Sequence, residues 1–207
     1  DEQEIKGGKI AVLAELMKLR QICCDPRLLY ADFKQDAAKM AAICELVESA
    51  VDNDQKVLVF SQFTSFLALI EEALDKRGLA HYKITGSTPK QERLELVERF
   101  NGDEVPVFLI SLKAGGTGLN LVGASVVIHA DPWWNAAAQN QATDRAHRIG
   151  QTQDVSVFKV IADGTIEERI LALQEAKSDL ADAVLAADGA SLGTLSRDEL
   201  IALLTSE

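Results

Sequence analysis

The chain has 207 residues, 47% hydrophobic and 26% charged, with a formal net charge of −11. That length suits one domain burying roughly 70% of its unfolded surface, and the composition excludes a disordered or fibrous protein. No apolar run reaches the roughly 18 residues of a membrane span, no secretory signal is visible, and the acidity argues against a protein that grips nucleic acid tightly by itself. The charge is uneven, however: residues 163–207 carry −7 and the first 162 residues −4. A local basic cleft is therefore compatible with the total. The first residue is Asp1 rather than Met, which suggests a piece of a longer protein. Cys23, Cys24 and Cys44 fit neither a zinc ribbon nor a disulfide framework and read as small buried hydrophobes. His81, His129 and His147 lack ligand spacing, so no metal site is expected.

Residues 1–8, polar and with two adjacent glycines, read as a frayed lead-in. Residues 9–22 place Ile10, Leu13, Leu16, Met17 and Leu19 at helical spacing, and Pro26 ends that helix. A linker over 30–36 precedes a second helix over 37–51. The period then changes. Residues 56–60 form a short apolar run behind a polar turn, the signature of a strand buried on both faces. A helix over 64–77 ends at Gly78, and a strand covers 80–85. Thr88 is expected to N-cap the next helix, with Pro89 in its first turn, and Asn101-Gly102 closes it. Further strands are expected at 105–110, 125–129 and 155–161. The alternation predicts an α/β fold: a parallel sheet with helices on both faces. After Gly164 the chain reads as helical, with capping-box spacing at Thr165/Glu168 and Ser196/Glu199.

In open parallel sheets, ligands sit at the carboxyl ends of the strands. The loops there contain Ser61-Gln62, Gly86-Ser87 and Lys113. Such residues suit hydrogen bonds to phosphate, although they also make ordinary turns. The stretch Ala114-Gly115-Gly116-Thr117-Gly118 would let backbone N–H groups approach an anion. It is neither GxGxxG nor a Walker A loop, and no such loop occurs in the chain. Gln141, Arg145 and Arg148, at i, i+4 and i+7, would share one helix face. They suit a polyanion; equally, Asp144 could pair with Arg148 on an ordinary surface helix. Trp133 and Trp134 adjoin that helix, and one of them should pack while the other lies near the surface.

The motifs at 131–135 (DPWWN) and 141–151 (QATDRAHRIGQ) closely resemble motif six of the Swi/Snf-type DNA-dependent ATPases of helicase superfamily two. Residues 114–121 (AGGTGLNL) resemble that family's motif five and 57–63 (VLVFSQF) its motif four, while 19–29 (LRQICCDPRLL) resemble the helix entering the second lobe. The resemblance covers nearly the whole chain. It implies a RecA-like second motor lobe, with ATP and Mg2+ held mainly by an absent first lobe. Arg145 and Arg148 would be arginine fingers beside Gln141. Gly116, Gly118 and Asn120 would contact nucleotide, and Ser61, Gln62, Gly86, Ser87, Lys113 and Thr117 would meet the DNA backbone. The implied layout is an entry helix and linker over 1–36, the lobe over 37–162 and a helical extension over 163–207.

The implied partners are the N-terminal motor lobe of the same protein and double-stranded DNA. RNA polymerase or another DNA-bound protein would be the remodelled object. The implied location is the bacterial cytoplasm, at the nucleoid, or the nucleus in a eukaryote. Rival readings are a non-catalytic binding module retaining the lobe fold, and a small-molecule nucleotide enzyme. The family's usual proline after WWN is Ala136 here; alanine should keep the helix.

Overall fold

In the computed structural model, which describes residues 2–35, 37–115, 119–144, 146 and 154–181, five parallel strands form one sheet. They are β1 (Val57–Ser61), β2 (His81–Ile84), β3 (Val107–Ser111), β4 (Val126–His129) and β5 (Ser156–Lys159), in the order β2-β3-β1-β4-β5. Val57 lies between Val107 and Val126 in the register. The central strands β1, β3 and β4 are buried at every position. Successive side chains of β1 point to opposite faces, so both faces must be covered by apolar surface.

On one face, Val57 and Val59 pack with Ile43 and Val47 of α2 (Ala38–Asp52) and with Phe66, Ile70 and Leu74 of α3 (Thr64–Asp75). On the other, Leu58 and Phe60 meet Val97 and Phe100 of α4 (Lys90–Gly102), Ala142 of α6 (Ala136–Thr143) and Ala146. Burying an aromatic such as Phe100 or Phe108 is worth about 2–3 kcal/mol. A short helix, α5 (Leu112–Gly115), follows β3 directly. Along one side, α1 (Glu2–Cys24) packs on α7 (Ile166–Ala181) through a small cluster of Leu16, Trp134, Ile166 and Ile170.

Several sequence expectations are corrected. Helix α1 begins at Glu2 rather than near residue 9 and runs through Gly7 and Gly8. A glycine costs a helix interior about 1 kcal/mol relative to alanine, which weakens a helix without stopping it. Ile10 and Leu19, placed on the apolar stripe, are 67% and 43% exposed. Thr88 does not cap α4: Pro89 occupies the N-cap, and the Thr88 hydroxyl accepts from the Thr85 N–H at 3.1 Å. Strand β5 is exposed at all four positions and, among the described residues, pairs with β4 alone at the edge of the sheet. Thr165 does cap α7, accepting from Glu167 N at 3.2 Å, while Glu168 reaches back to Gly164 N at 2.9 Å. Gly164 has φ +66°, which a side chain would strain. Helix α6 starts at Ala136, so the missing proline does not prevent it. The expected cap at Ser196 lies outside the described residues.

Candidate functional site

All five strands end on the same edge. Connections from β1 go to α3 on one face, while those from β3 and β4 go to α5 and α6 on the other. A crevice opens wherever neighbouring connections diverge in this way.

Its floor is polar and buried. Asp131, just past β4, is 1% exposed and accepts hydrogen bonds from the Ser61 hydroxyl, the Gln62 side-chain amide and, at 3.3 Å, the Gln62 backbone N–H. Ser61 is fully buried, and its Oγ also accepts from Phe63 N at 3.0 Å. Its side chain is therefore closed to an external phosphate, contrary to the sequence expectation of a DNA contact. Gln62 is half-buried, and its amide also donates to Pro132 O at 3.1 Å. From α1, Arg20 (1% exposed) donates to Pro132 O at 2.6 Å and stands 3.9 Å from Asp131. Beside them, the buried Lys39 ammonium donates to Glu167, to Val160 O at 2.9 Å and to Ala130 O at 3.2 Å. Burial pushes the Asp131 and Glu167 carboxyls above their ordinary values, opposed chiefly by Arg20 and Lys39 respectively. Two cations and two carboxylates thus tie α1, α2, β4 and α7 together.

Above this floor the loops are more open. Gly86 and Ser87 are exposed on a turn held by Arg93, which donates to Thr88 O at 2.7 Å and Gly86 O at 3.0 Å. Lys113 on α5 is exposed. Asn120 is exposed, but its carbonyl accepts from Asn101 Nδ2 at 2.8 Å, at the end of α4 on the amino side of the sheet. The same Asn101 side chain accepts from Gly123 N at 3.0 Å, where an added Cβ would stand 3.3 Å from Asn101 Cα. Gly116, Thr117, Gly118, Arg145 and Arg148 lie outside the described residues.

Gln141 is exposed on α6. The helix expected through 148 falls partly outside the described residues, and α6 itself ends at Thr143. Asp144 N still bonds Asn140 O at 2.9 Å, but Ala146 N bonds Thr143 O at 3.0 Å, three residues back rather than four. Ala142 and Ala146 are buried against the sheet. Gln139 is 2% exposed, and its Oε1 accepts from Trp133 N at 3.2 Å and from Gln174 at 3.4 Å. Trp134 is buried and Trp133 half-buried, which matches the expected division of the pair.

Sequence reasoning missed Arg20, Lys39, Asp131 and Glu167. A signal existed: Arg20 lies four residues after Leu16, and Lys39 four before Ile43, each inside an apolar stripe. A charge there implies a buried partner.

His129 is 1% exposed, stacks on Phe60 and bonds the Thr143 hydroxyl at 2.9 Å. Burial, with a contribution from Lys159, pushes it down to about 4. Between that value and the ordinary 6.5, the unfolded chain binds the proton and the folded chain does not, so stability falls as pH drops through this window. The part of this loss due to His129 from pH 7 to pH 5 is about 2 kcal/mol, with the raised Asp131 and Glu167 carboxyls acting in the opposite direction. Denaturant unfolding of the chain and of His129→Asn at both pH values checks this; equal pH dependence would refute it. The three thiols are held above their ordinary value by burial, which keeps them unreactive.

The profile of helicase conserved C-terminal domains matches residues 38–150. The putative ATP-dependent helicase/translocase YwqA of Bacillus subtilis is 39% identical over 203 residues, covering 94% of this chain and 22% of that protein. The chain spans about a fifth of the length of the curated relatives it matches. Among solved structures, the C-terminal domain of the Sulfolobus solfataricus SWI2/SNF2 ATPase superposes with a TM-score of 0.71 at 30% identity, over 95% of this chain and 78% of that one. The core of that ATPase in complex with double-stranded DNA gives 0.74 at 32% identity, over 94% and 42%.

Proposed function

We propose that this chain, which belongs to the helicase conserved C-terminal domain family and within it to the Swi2/Snf2-type ATPase lobes, is the second motor lobe of an ATP-driven double-stranded DNA translocase. The observation that carries the reading is the form of the carboxyl edge. Gly86, Ser87, Lys113 and Gln141 are exposed there, while the sequence has no phosphate-binding Walker loop. Such an edge is half a site, to be completed by the nucleotide-holding lobe of the same protein.

In this reading Arg145 and Arg148 meet the γ-phosphate of ATP bound between the lobes, and Gln141 lies beside them. Gly116, Gly118 and Asn120 face the nucleotide. Gln62, Gly86, Ser87, Lys113 and Thr117 contact the DNA backbone, which fixes register without reading sequence. Acids of the first lobe would hold Mg2+, since Asp131 at the end of β4 is buried and bonded internally. ATP supplies the phosphoryl group passed to water; this lobe supplies positive charge and orientation. The residues fall into an entry helix and linker over 1–36, the lobe over 37–162 and an extension over 163–207. RNA polymerase or another DNA-bound protein is the object moved, at the nucleoid if the source is bacterial and in the nucleus if it is eukaryotic.

The test compares the full-length protein with residues 1–207. Full-length ATP turnover should rise when duplex DNA is added, and the isolated chain should hydrolyse no ATP at millimolar concentration. Turnover by the isolated chain without DNA would favour a small-molecule nucleotide enzyme. A full-length protein that binds DNA without hydrolysing ATP would favour a binding module.

A further inference from the structure

We propose that Arg20 is a positioning residue of the motor site: through Asp131 and Pro132 it sets the β4–α6 turn. The inference rests on the reading of Arg148 as an arginine finger. Its geometry is independent of that reading. Arg20 comes from α1, 112 residues before Pro132, yet is 1% exposed at the carboxyl edge of the sheet. Its guanidinium carbon sits 5.4 Å from the Phe63 ring centroid and 5.0 Å from that of Trp134. It therefore stands between the loop after β1 and the turn after β4.

These two connections leave neighbouring strands for opposite faces of the sheet. Asp131 is what joins them, by accepting from both Ser61 and Gln62. Arg20 is the cation that faces Asp131 and fixes the next carbonyl, Pro132 O, at 2.6 Å. From there the path is short. Trp133 N donates to Gln139 of α6 at 3.2 Å, and Ala142 of that helix and Ala146 beyond it are buried on the sheet. The links are buried or part-buried hydrogen bonds, one buried ion pair and ring contacts, so a displacement of α1 is passed on rather than absorbed. A buried arginine that served packing alone would need neither the bond to Pro132 O nor the carboxylate that also clamps the adjacent loop.

The experiment is a cycle in the full-length protein with Arg20→Met, Arg148→Lys and the double substitution. It reads kcat and KM for ATP with saturating duplex DNA, below every unfolding midpoint. Arg20→Met should lower kcat about tenfold or more with KM changed less than about twofold, because ATP is held mainly by the other lobe. The losses from Arg20→Met and Arg148→Lys should not multiply, since both act on one group. Multiplying losses, or an unchanged kcat in Arg20→Met, would overturn the proposal. A KM increase with unchanged kcat would do the same. If Arg20→Met does not fold, Arg20→Lys takes its place in the same cycle, with the same outcomes on a smaller scale. An unchanged kcat in Arg148→Lys and in Arg148→Ala would instead remove the arginine reading itself, so the two failures are distinct.

Discussion

Replacing Arg148 with alanine in the full-length protein is expected to lower DNA-stimulated ATP turnover by about 10³-fold or more. A charge placed on a transferring phosphoryl group is worth about 10³ to 10⁵ in rate, or roughly 4–7 kcal/mol of barrier. The alternative is an ordinary surface pair between Asp144 and Arg148, worth only a few tenths of a kcal/mol and nothing in turnover. The two differ so widely that one measurement decides between them. Asp144 is exposed and the next described residue, Ala146, is buried on the sheet, so the chain is anchored within two positions of Arg148. A side chain leaving an anchored backbone can be aimed, as a finger must be. Circular dichroism and the unfolding midpoint should stay at wild-type values. Steady-state hydrolysis with saturating duplex DNA gives the rate, and unchanged turnover would return Arg148 to the surface pair.

The sheet is legible in the sequence because parallel strands buried on both faces appear as uninterrupted apolar runs, and VLVF at 57–60 and VFLI at 107–110 are such runs. The helices between them follow from the change of period. The boundaries are less legible where local rules compete. Thr88 has the chemistry of an N-cap, yet its hydroxyl closes the preceding turn and Pro89 takes the cap. Gly7-Gly8 reads as a break, yet α1 passes through it. The helix end at Thr143 is hidden because nothing between 141 and 148 is a helix breaker. Least legible is the charged floor of the crevice. Lys39 and Glu167 are 128 residues apart, and Arg20 reaches Pro132 across 112. No local window contains both partners of either contact. Ser61 reads as a ligand contact for the same reason: its loop position is visible in the sequence, but the carboxylate that occupies it is not.

The largest effect on stability should come from Glu167→Ala. Glu167 is fully buried at the start of α7 and accepts from the Lys39 ammonium and from Ala162 N at 2.8 Å. Lys39 is itself only 6% exposed. Its other acceptors are two main-chain carbonyls, Ala130 O and Val160 O, which carry dipoles but no net charge. Removing the carboxylate leaves a cation in a medium that solvates it poorly, a loss of about 3–5 kcal/mol. That is a large part of the stability of a domain this size. Glu167→Gln keeps the shape and one acceptor but not the charge, and should lose less. Lys39→Met combined with Glu167→Leu removes both charges and keeps apolar volume, so it should recover most of the stability, because the pair is costly to break and cheap to delete whole. Urea unfolding of the three variants beside the wild-type chain gives the order. A loss below about 1 kcal/mol in Glu167→Ala would mean that Lys39 reaches solvent once its partner is gone. The charge pair would then fix the position of α7 on the lobe without holding the lobe folded.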